Sequence, residues 1–263
     1  VWDRDGKRYL DMIAGIAVCS LGHAHPRLVD AISRQAGALI HTSSLWHNEP
    51  AVALMEKLTE LSFADSVFFA NSGTEANEAA LKLARRYRSL IKKQPERPGI
   101  LAFNKSFHGR SYMSMTVTGQ PKYHKGFEPL VPDVHYADYG DLDSVELAIN
   151  AAKGRISTII VEPIQCEGGL RVPPEGFLKG LRNLCDRDDM LLIFDEVQTG
   201  MGRVAEWFCY EISGVQPDIM TLAKGIASGV PLGAMLATAE VAKGFEPGAH
   251  ASTFGGNPLA TRA

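Results

Sequence analysis

Leu191-Leu192-Ile193-Phe194-Asp195-Glu196 places four large apolar residues directly before two carboxylates. An apolar run of this kind is typical of a strand buried on both faces, as the strands of a parallel sheet are. Open α/β sheets bind their ligands at the carboxyl ends of such strands. We therefore interpret Asp195 as a candidate site residue.

Lys224 lies just past the next apolar strand, at 218–222, and so at the same edge of the predicted sheet. A buried aspartate is costly unless a cation meets it, and a desolvated lysine loses its proton and becomes a nucleophile. Together the two side chains suggest pyridoxal phosphate, whose aldehyde Lys224 would hold as a Schiff base while Asp195 keeps the ring nitrogen protonated. The alternative is a solvated acid at a strand end and an unrelated surface lysine.

The chain has 263 residues, of which 45% are hydrophobic and 22% charged, and its formal net charge is -3. Such a composition can bury a substantial core, but it supplies no basic field for nucleic acid and no apolar run near the ~20 residues of a membrane helix. The cysteines are scattered without a C-x-x-C pair: Cys19, Cys166, Cys185 and Cys209. We therefore expect neither a disulfide framework nor a zinc site, and we favour a cytoplasmic location.

The N-terminal residues predict a small sheet followed by a helix. Residues on either side of Asp5-Gly6 alternate between apolar and polar, which is typical of a tight hairpin. An apolar segment follows at 9–18, and Pro26 begins a stretch with helical periodicity. His23 and His25 raise the question of a metal site. Two histidines without carboxylate or thiolate partners beside them in the sequence are more typical of a polar turn, so we expect no metal.

The motif Asn71-Ser72-Gly73-Thr74-Glu75 joins a short strand, at 66–70, to a helix that we predict to run to about Lys93. Acids at the start of this helix and basic residues at its end agree with the helix dipole. The free N–H groups of Gly73 and Thr74, with the hydroxyls of Ser72 and Thr74, would form a phosphate cradle. The alternative is an ordinary N-cap followed by a capping acid.

Two further strands end in candidate residues. After the first, Phe107 could lay its ring on a flat cofactor and Arg110 could clamp a carboxylate, or the two could be a core phenylalanine and a surface arginine. After the second, Glu162 and Glu167 bring acids to the same edge of the sheet. Glu167 could receive a substrate amine or an arginine, or it could simply face water.

Strands and helices alternate from Ser66 onward, which predicts an α/β fold with a mostly parallel, doubly wound α/β/α sandwich. Six ordered motifs resemble the class III pyridoxal-phosphate aminotransferases of fold type I. They are Asn71-Ser72-Gly73-Thr74-Glu75-Ala76, Phe107-His108-Gly109-Arg110, Glu162-Pro163-Ile164-Gln165, Phe194-Asp195-Glu196-Val197-Gln198-Thr199-Gly200, Ala223-Lys224-Gly225 and Ser252-Thr253-Phe254-Gly255-Gly256-Asn257-Pro258. The resemblance implies that residues 1–43 belong to a smaller α+β domain and a linking helix. Residues 44–263 would form the large cofactor-binding domain, with the C-terminal part of the small domain absent from these residues.

The resemblance also implies a role for each residue at the site. Lys224 would bind the cofactor aldehyde and move the substrate proton, Asp195 would pair with the ring nitrogen, and Gln198 would hydrogen-bond the ring hydroxyl. The other cofactor contacts would be Ser72, Gly73 and Thr74 around the phosphate, Phe107 and Val197 on the two ring faces, His108 and Glu162 in the same pocket, and Thr253 at the phosphate of a neighbouring subunit's cofactor. The substrate contacts would be Arg110, Glu167 and Ser252.

The implied reaction moves an amino group from N-acetylornithine to 2-oxoglutarate, in arginine biosynthesis, within a homodimer that shares its active sites. Ornithine, succinyl-diaminopimelate and 4-aminobutyrate are alternative donors, and a decarboxylase or an aminomutase could use the same residues. A catalytically silent cofactor fold with a binding role is the second functional class, although the groups that would hold the cofactor favour the enzyme. Cys166 stands where the family usually has glycine, which could shift the neighbouring Glu167.

Overall fold

The computed structural model describes residues 1–263. Its strands are β1 (Ser66–Ala70), β2 (Gly99–Phe103), β3 (Val134–Ala137), β4 (Ile156–Val161), β5 (Leu191–Asp195), β6 (Ile219–Leu222) and β7 (Gly233–Ala237). They form one seven-stranded sheet in the order β1-β7-β6-β5-β4-β2-β3. The strand that the apolar run predicts, β5, therefore lies in the middle of the sheet.

Helices connect the strands and precede the sheet. They are α1 (Ala14–Ala17), α2 (Pro26–Ala38), α3 (Glu49–Leu61), α4 (Gly73–Arg86), α5 (Tyr112–Val117), α6 (Leu142–Ala151), α7 (Phe177–Arg187), α8 (Cys209–Ser213), α9 (Ala239–Ala242) and α10 (Pro258–Arg262). A π-helical turn, Tyr87–Ile91, continues α4, and 3-10 turns lie at Pro121–Tyr123 and Lys224–Ala227. None of these helices combines the length and the apolar character needed to cross a bilayer.

The sheet is mostly parallel. β3, β2, β4, β5 and β6 pair parallel to one another, whereas β7 pairs antiparallel with both β6 and β1. Because β7 runs the opposite way between them, β1 points in the same direction as β6. The mostly parallel α/β fold that the sequence predicts is confirmed. The carboxyl ends of six strands consequently lie along one edge, and this edge carries the candidate residues.

Apolar side chains cover both faces of the sheet. Leu191 and Ile193 of β5 pack into one cluster with α4, while Leu192 and Phe194 pack into the other cluster with α7. This is the alternation that a pleated strand produces when helices cover both of its faces. The burial explains why β5 reads as a continuous apolar run in the sequence.

Side chains cap the helices that lead from the sheet edge. The Ser72 hydroxyl accepts a hydrogen bond from the N–H of Glu75 at the start of α4, and the Asp141 carboxylate accepts from Asp143 and Ser144 at the start of α6. The predicted long helix after Ser72 is present, but its α-helical part ends at Arg86 and the rest is the π-helical turn. The N-cap fixes where α4 begins, and therefore which N–H groups face the sheet edge.

The small N-terminal sheet that the sequence predicts is not formed. The turn at Gly6 is present with a φ of 78°, but only one bridge, Trp2 to Arg8, connects its two sides. The following apolar segment contains only the short α1, and its side chains Leu10 and Met12 are exposed. Strands need a second strand or a core to pack on, and none of the residues at 9–18 is buried.

Candidate functional site

A cavity of about 450 Å³ opens where β1, β2, β4, β5 and β6 end. It is lined by residues from each of the loops that follow these strands: Asn71, Ser72, Gly73, Thr74, Phe107, His108, Gly109, Arg110, Glu162, Cys166, Glu167, Asp195, Val197, Gln198, Ala223 and Lys224. Asn77 of α4, Val18 and residues 229–232 complete the lining. The site residues predicted from five separate motifs thus lie around one space.

Asp195 is only 3% exposed and is surrounded by hydrogen-bond donors. Its Oδ1 accepts from the N–H of Val197 at 3.0 Å, and its Oδ2 accepts from Asn77 Nδ2 at 2.8 Å. His108 Nδ1 lies 2.7 Å from the same Oδ2, while the buried Nε2 of His108 contacts no polar group. Because a buried carboxylate is costly without such partners, these contacts explain how the carboxylate is tolerated at the strand end.

Sequence reasoning did not find Asn77. It lies on the buried face of α4 with Ala80, Leu81 and Ala84, and a polar residue on an otherwise apolar helix face is the signal that could have identified it. Its Nδ2 also donates to the carbonyl of His108 at 2.7 Å, and its Oδ1 accepts from Thr221 Oγ1 at 2.7 Å. Asn77 therefore joins α4 to the loop after β2 and to β6.

Lys224 projects into the cavity from the turn after β6. Its backbone has a φ of 45°, in the left-handed region that non-glycine residues adopt uncommonly. Its Nζ donates a hydrogen bond to Gln198 Oε1. Burial lowers the pKa of the Lys224 amine, while the Asp195 carboxylate opposes this change. The amine is thus closer to its nucleophilic, neutral form than an exposed lysine is.

The predicted cradle lies at the start of α4. Gly73 and Thr74 occupy the first two helical positions, where N–H groups have no intrahelical acceptor. The Ser72 hydroxyl oxygen accepts from Glu75, and the Thr74 hydroxyl lies 2.6 Å from that of Ser111. Because both hydroxyls are engaged within the protein, the N–H groups are the main anion-binding feature of this turn.

The floor of the cavity is closely packed. A Cβ atom on Gly73 would lie 2.8 Å from Cγ1 of Val197, so no larger residue fits at this point of the cradle without displacement. Phe107 lines the cavity too and meets the Tyr123 ring edge-on, with 5.9 Å between the ring centroids. Val197 and Phe107 are therefore available as apolar surfaces for a flat ligand.

Two buried glutamates differ in their position at the site. Glu162 lines the cavity, and its Oε2 accepts from the N–H of Phe107 at 3.0 Å. Glu196, although adjacent to Asp195 in the sequence, accepts from the N–H groups of Cys209 at 2.6 Å and Tyr210 at 2.8 Å and so anchors the start of α8. Burial raises the pKa of each of the two glutamates to about 7.

Arg110 and Glu167 lie at the mouth of the cavity. The guanidinium of Arg110 stacks 3.9 Å from the centroid of the Tyr123 ring. Glu167 accepts from the Tyr123 hydroxyl and from Gln120 Nε2, both at 2.5 Å. Partial burial opposes ionisation of Glu167, but these two hydrogen bonds outweigh it and lower the pKa of the carboxyl. The sequence did not indicate Gln120 or Tyr123, because they come from a loop without a motif.

Ser252 and Thr253 do not line the cavity of their own chain. The Ser252 hydroxyl accepts from Asn71 Nδ2 at 3.1 Å, next to the cavity wall, and Thr253 is exposed. Cys166 does line it, and burial raises the pKa of its thiol. Outside the site, His23 Nε2 lies 2.7 Å from Asp11 Oδ2, a carboxylate partner that sequence spacing did not reveal.

Comparisons with known proteins agree with this arrangement. The family model "Aminotransferase class-III" matches residues 1–263. The chain is 49% identical over 260 residues to an acetylornithine aminotransferase of Vibrio vulnificus, covering 99% of this chain and 64% of that protein. It is 50% identical over 261 residues to a succinylornithine transaminase of Salmonella paratyphi B, covering 99% of this chain and 63% of that protein.

A solved structure has the same fold. An ornithine aminotransferase of Toxoplasma gondii, whose active site holds PLP at partial occupancy, superposes with a TM-score of 0.94 at 36% identity. The match covers 99% of this chain and 62% of that one. The chain therefore spans slightly less than two thirds of the relatives that it matches.

The raised pKa of Glu162 predicts a pH-dependent stability. The folded pKa is about 7 and the ordinary value is 4.5, so the folded chain holds a proton that the unfolded chain releases between these values. The contribution of Glu162 to the free energy of unfolding is fully present below a pH of 4.5 and is lost as the pH rises through about 7. We expect Glu162→Gln to reduce the fall in unfolding free energy between about pH 5 and about pH 8 by up to about 3 kcal/mol.

Denaturant unfolding of the cofactor-free protein at the two pH values measures this difference. His108, Asp195 and Lys224 face Glu162 and are present in both proteins. Glu196 contributes a similar pH dependence to both, so the difference between the two proteins reports on Glu162. An equal loss of stability in the wild type and the variant would contradict the prediction.

Proposed function

The chain belongs to the class-III aminotransferases, and from this premise we propose that it moves an amino group from N-acetylornithine to 2-oxoglutarate with pyridoxal 5'-phosphate as its cofactor. One observation carries the proposal: Lys224 and Asp195, from the ends of the neighbouring strands β6 and β5, line the same cavity. A primary amine and an acid in one buried space are the two groups that this cofactor requires.

The residues around the cavity fit this cofactor. Asp195 is a buried carboxylate that can meet a cationic ring nitrogen, and Lys224 is an amine whose pKa burial lowers. The first N–H groups of α4 lie at the same cavity and suit a phosphate. A Cβ at Gly73 would clash with Val197, so the close packing of this turn against the cavity wall requires glycine at this position. The donor set therefore matches an aldehyde, a basic ring and a phosphate.

When bound, the cofactor supplies an electron-accepting ring that stabilises negative charge on the substrate carbon. In our proposal the Nζ of Lys224 would hold the aldehyde until the amino group of the substrate displaces it, and the freed amine would then take the proton from the substrate carbon that bears the amino group. Asp195 keeps a positive charge on the ring nitrogen, and Gln198, already in contact with Lys224, orients the ring hydroxyl. Phe107 and Val197 exclude water from the two ring faces.

In our proposal, residues at the mouth of the cavity recognise the substrate. We assign Arg110 to a substrate carboxylate, since a stacked guanidinium still presents its N–H groups for bidentate contact. Glu167 contributes a negative charge beside it, and Ser252 is held by its hydrogen bond with Asn71. A succinylornithine donor is the second candidate, because relatives of both names are about equally similar to this chain. Ornithine, succinyl-diaminopimelate and 4-aminobutyrate are the remaining candidates.

We further propose that the active unit is a homodimer in the cytoplasm. Leu10, Met12 and Trp46 are large apolar side chains that are exposed in the single chain, and clusters of such groups are typical of interaction surfaces. Thr253 is exposed and outside the cavity of its own chain, as expected of a residue that serves a neighbouring site.

The four free cysteines agree with a reducing compartment. Residues 1–43 would belong to the small domain and residues 44–263 to the large one.

Replacing the amine tests the cofactor assignment. We expect Lys224→Ala to abolish the visible absorption of the bound cofactor and to lower turnover by at least about a thousandfold, because no other amine of the cavity can hold the aldehyde. Absorption spectra and single-turnover kinetics measure the two effects. Lys243→Ala, which removes an exposed lysine paired with Glu240, is the matched control. It should keep both the visible absorption of the cofactor and the turnover rate. Transamination retained by the Lys224 variant would reject the assignment.

A panel of amino donors tests the substrate. N-acetylornithine, succinylornithine, ornithine, 4-aminobutyrate and succinyl-diaminopimelate are each mixed with the cofactor-loaded protein, and the rate at which the visible band bleaches is recorded. We expect N-acetylornithine to react fastest, by about tenfold or more over 4-aminobutyrate, since the carboxylate of 4-aminobutyrate lies one carbon nearer the reacting amine and would not meet Arg110 in the same position. A preference for 4-aminobutyrate would overturn the donor assignment.

Sedimentation of the cofactor-loaded protein tests the dimer. We expect a species of twice the chain mass of 28.6 kDa. Thr253→Val should keep this mass but weaken cofactor binding by about tenfold, because it removes a hydroxyl that donates to a charged group. A monomer that binds the cofactor at full affinity would contradict the shared site.

A further inference from the structure

We propose that Asn77 is a positioning residue that fixes the orientation of the Asp195 carboxylate toward the cationic ring nitrogen of the cofactor. The inference rests on the proposed function and extends it to a residue outside the motifs. Asn77 is 1% exposed and lies on helix α4, which begins at the phosphate cradle, where it contacts strand β6, which leads to Lys224. Its side chain contacts groups on three separate elements.

The amide of Asn77 has only one acceptable orientation. Its Nδ2 donates to Asp195 Oδ2 at 2.8 Å and to the His108 carbonyl at 2.7 Å, and both of these partners are acceptors. Turning the amide over would place its oxygen against two other oxygens. The Oδ1 accepts from the Thr221 hydroxyl at 2.7 Å, which holds the amide from the other side. A donor is therefore always presented to Asp195.

The contacts of Asp195 leave a defined acceptor site. An ionised carboxylate accepts about four hydrogen bonds, two on each oxygen. Oδ2 is filled by Asn77 and His108, and Oδ1 receives the N–H of Val197. One acceptor position remains, on Oδ1. The direction of that position depends on the torsion of the carboxylate, and Asn77 is one of the two side chains that set this torsion through Oδ2.

Thr221 acts through Asn77 rather than on Asp195 directly. It lies opposite Asp195 in the pairing of β5 with β6, and the only side-chain partner of its hydroxyl is the Asn77 amide. Removal of the hydroxyl would leave Asn77 Oδ1 without its donor and so weaken the restraint on the amide, while leaving the apolar packing intact. A substitution at Thr221 therefore tests the same contact with a smaller structural change than a substitution at position 77.

The experiment compares pyridoxal 5'-phosphate with its analogue that has carbon in place of the ring nitrogen. Both carry the aldehyde and the phosphate, so only the contact with Asp195 distinguishes them. Affinities are measured by titration of the cofactor-free protein, followed by absorbance and fluorescence rather than by turnover. We expect the wild type to bind the natural cofactor at least about tenfold more tightly than the analogue, because a hydrogen-bonded charge pair is lost.

Asn77→Leu should lose most of this preference, reducing it to about threefold or less, with little change in the affinity for the analogue. Thr221→Val should reduce the preference to an intermediate value, and Thr221→Ser should restore it because it keeps the hydroxyl. Ser157→Ala is the matched control, since it removes a hydroxyl that is equally buried but lies on β4 and contacts only Thr158, at 3.5 Å. The control should retain the wild-type preference.

Three results would overturn the inference. If a variant at position 77 weakens the binding of both compounds equally, Asn77 has a purely structural role. If it weakens the binding of neither, Asn77 has no role in cofactor binding. If Asn77→Leu does not fold, an unchanged preference in Thr221→Val would be decisive instead. Failure of the proposed function is distinguishable, because the wild type itself would then bind neither compound through Lys224.

Discussion

A carboxylate that is 3% exposed must receive from the protein the hydrogen bonds that water would otherwise give it. Asp195 receives them from the N–H of Val197, from Asn77 and from His108, and these belong to three different segments of the chain. The turn after β5, the first part of α4 and the loop after β2 are consequently held at one point. The positions of the cavity residues at 71–74, 107–110 and 197–198 follow from this constraint, because they belong to these segments or directly adjoin them.

The acids that line the cavity receive different numbers of hydrogen bonds. Asp195 has three donors, whereas Glu162 on the same cavity wall has a single backbone N–H, from Phe107. Burial therefore raises the pKa of Glu162 to about 7 and favours the neutral form of this carboxyl. At the more open mouth, two short hydrogen bonds lower the pKa of Glu167. The pKa values of Glu162 and Glu167 are thus shifted in opposite directions because the two acids differ in burial and in partners.

The sequence predicted the parts of the molecule that local chemistry determines. Apolar runs followed by polar residues identified the strand ends, and parallel pairing then brought Asp195, Lys224 and Gly73 to one edge. It did not predict the N-terminal segment, whose alternating pattern suggested strands although no partner strand is there to pair with. Asn77 and Tyr123 were also missed, because their contacts join residues that are distant in sequence and are specified by the packing of helices and loops rather than by spacing.

Helix α4 sets the distance between the two ends of the site. Gly73, at its first position, lies at the cradle, and Asn77, four residues later, holds Asp195; at 1.5 Å per residue the two are about 6 Å apart along the helix axis. The start of α4 is fixed by steric contact, since Ser72 lies so close to β7 that a Cβ on Gly233 would be 2.4 Å from the Ser72 carbonyl. Its fifth residue is fixed by hydrogen bonds to Asp195 and Thr221. A rigid helix held at both points can neither slide nor turn, and so the spacing between an anion at the cradle and a cation at Asp195 is built into the backbone before any ligand arrives.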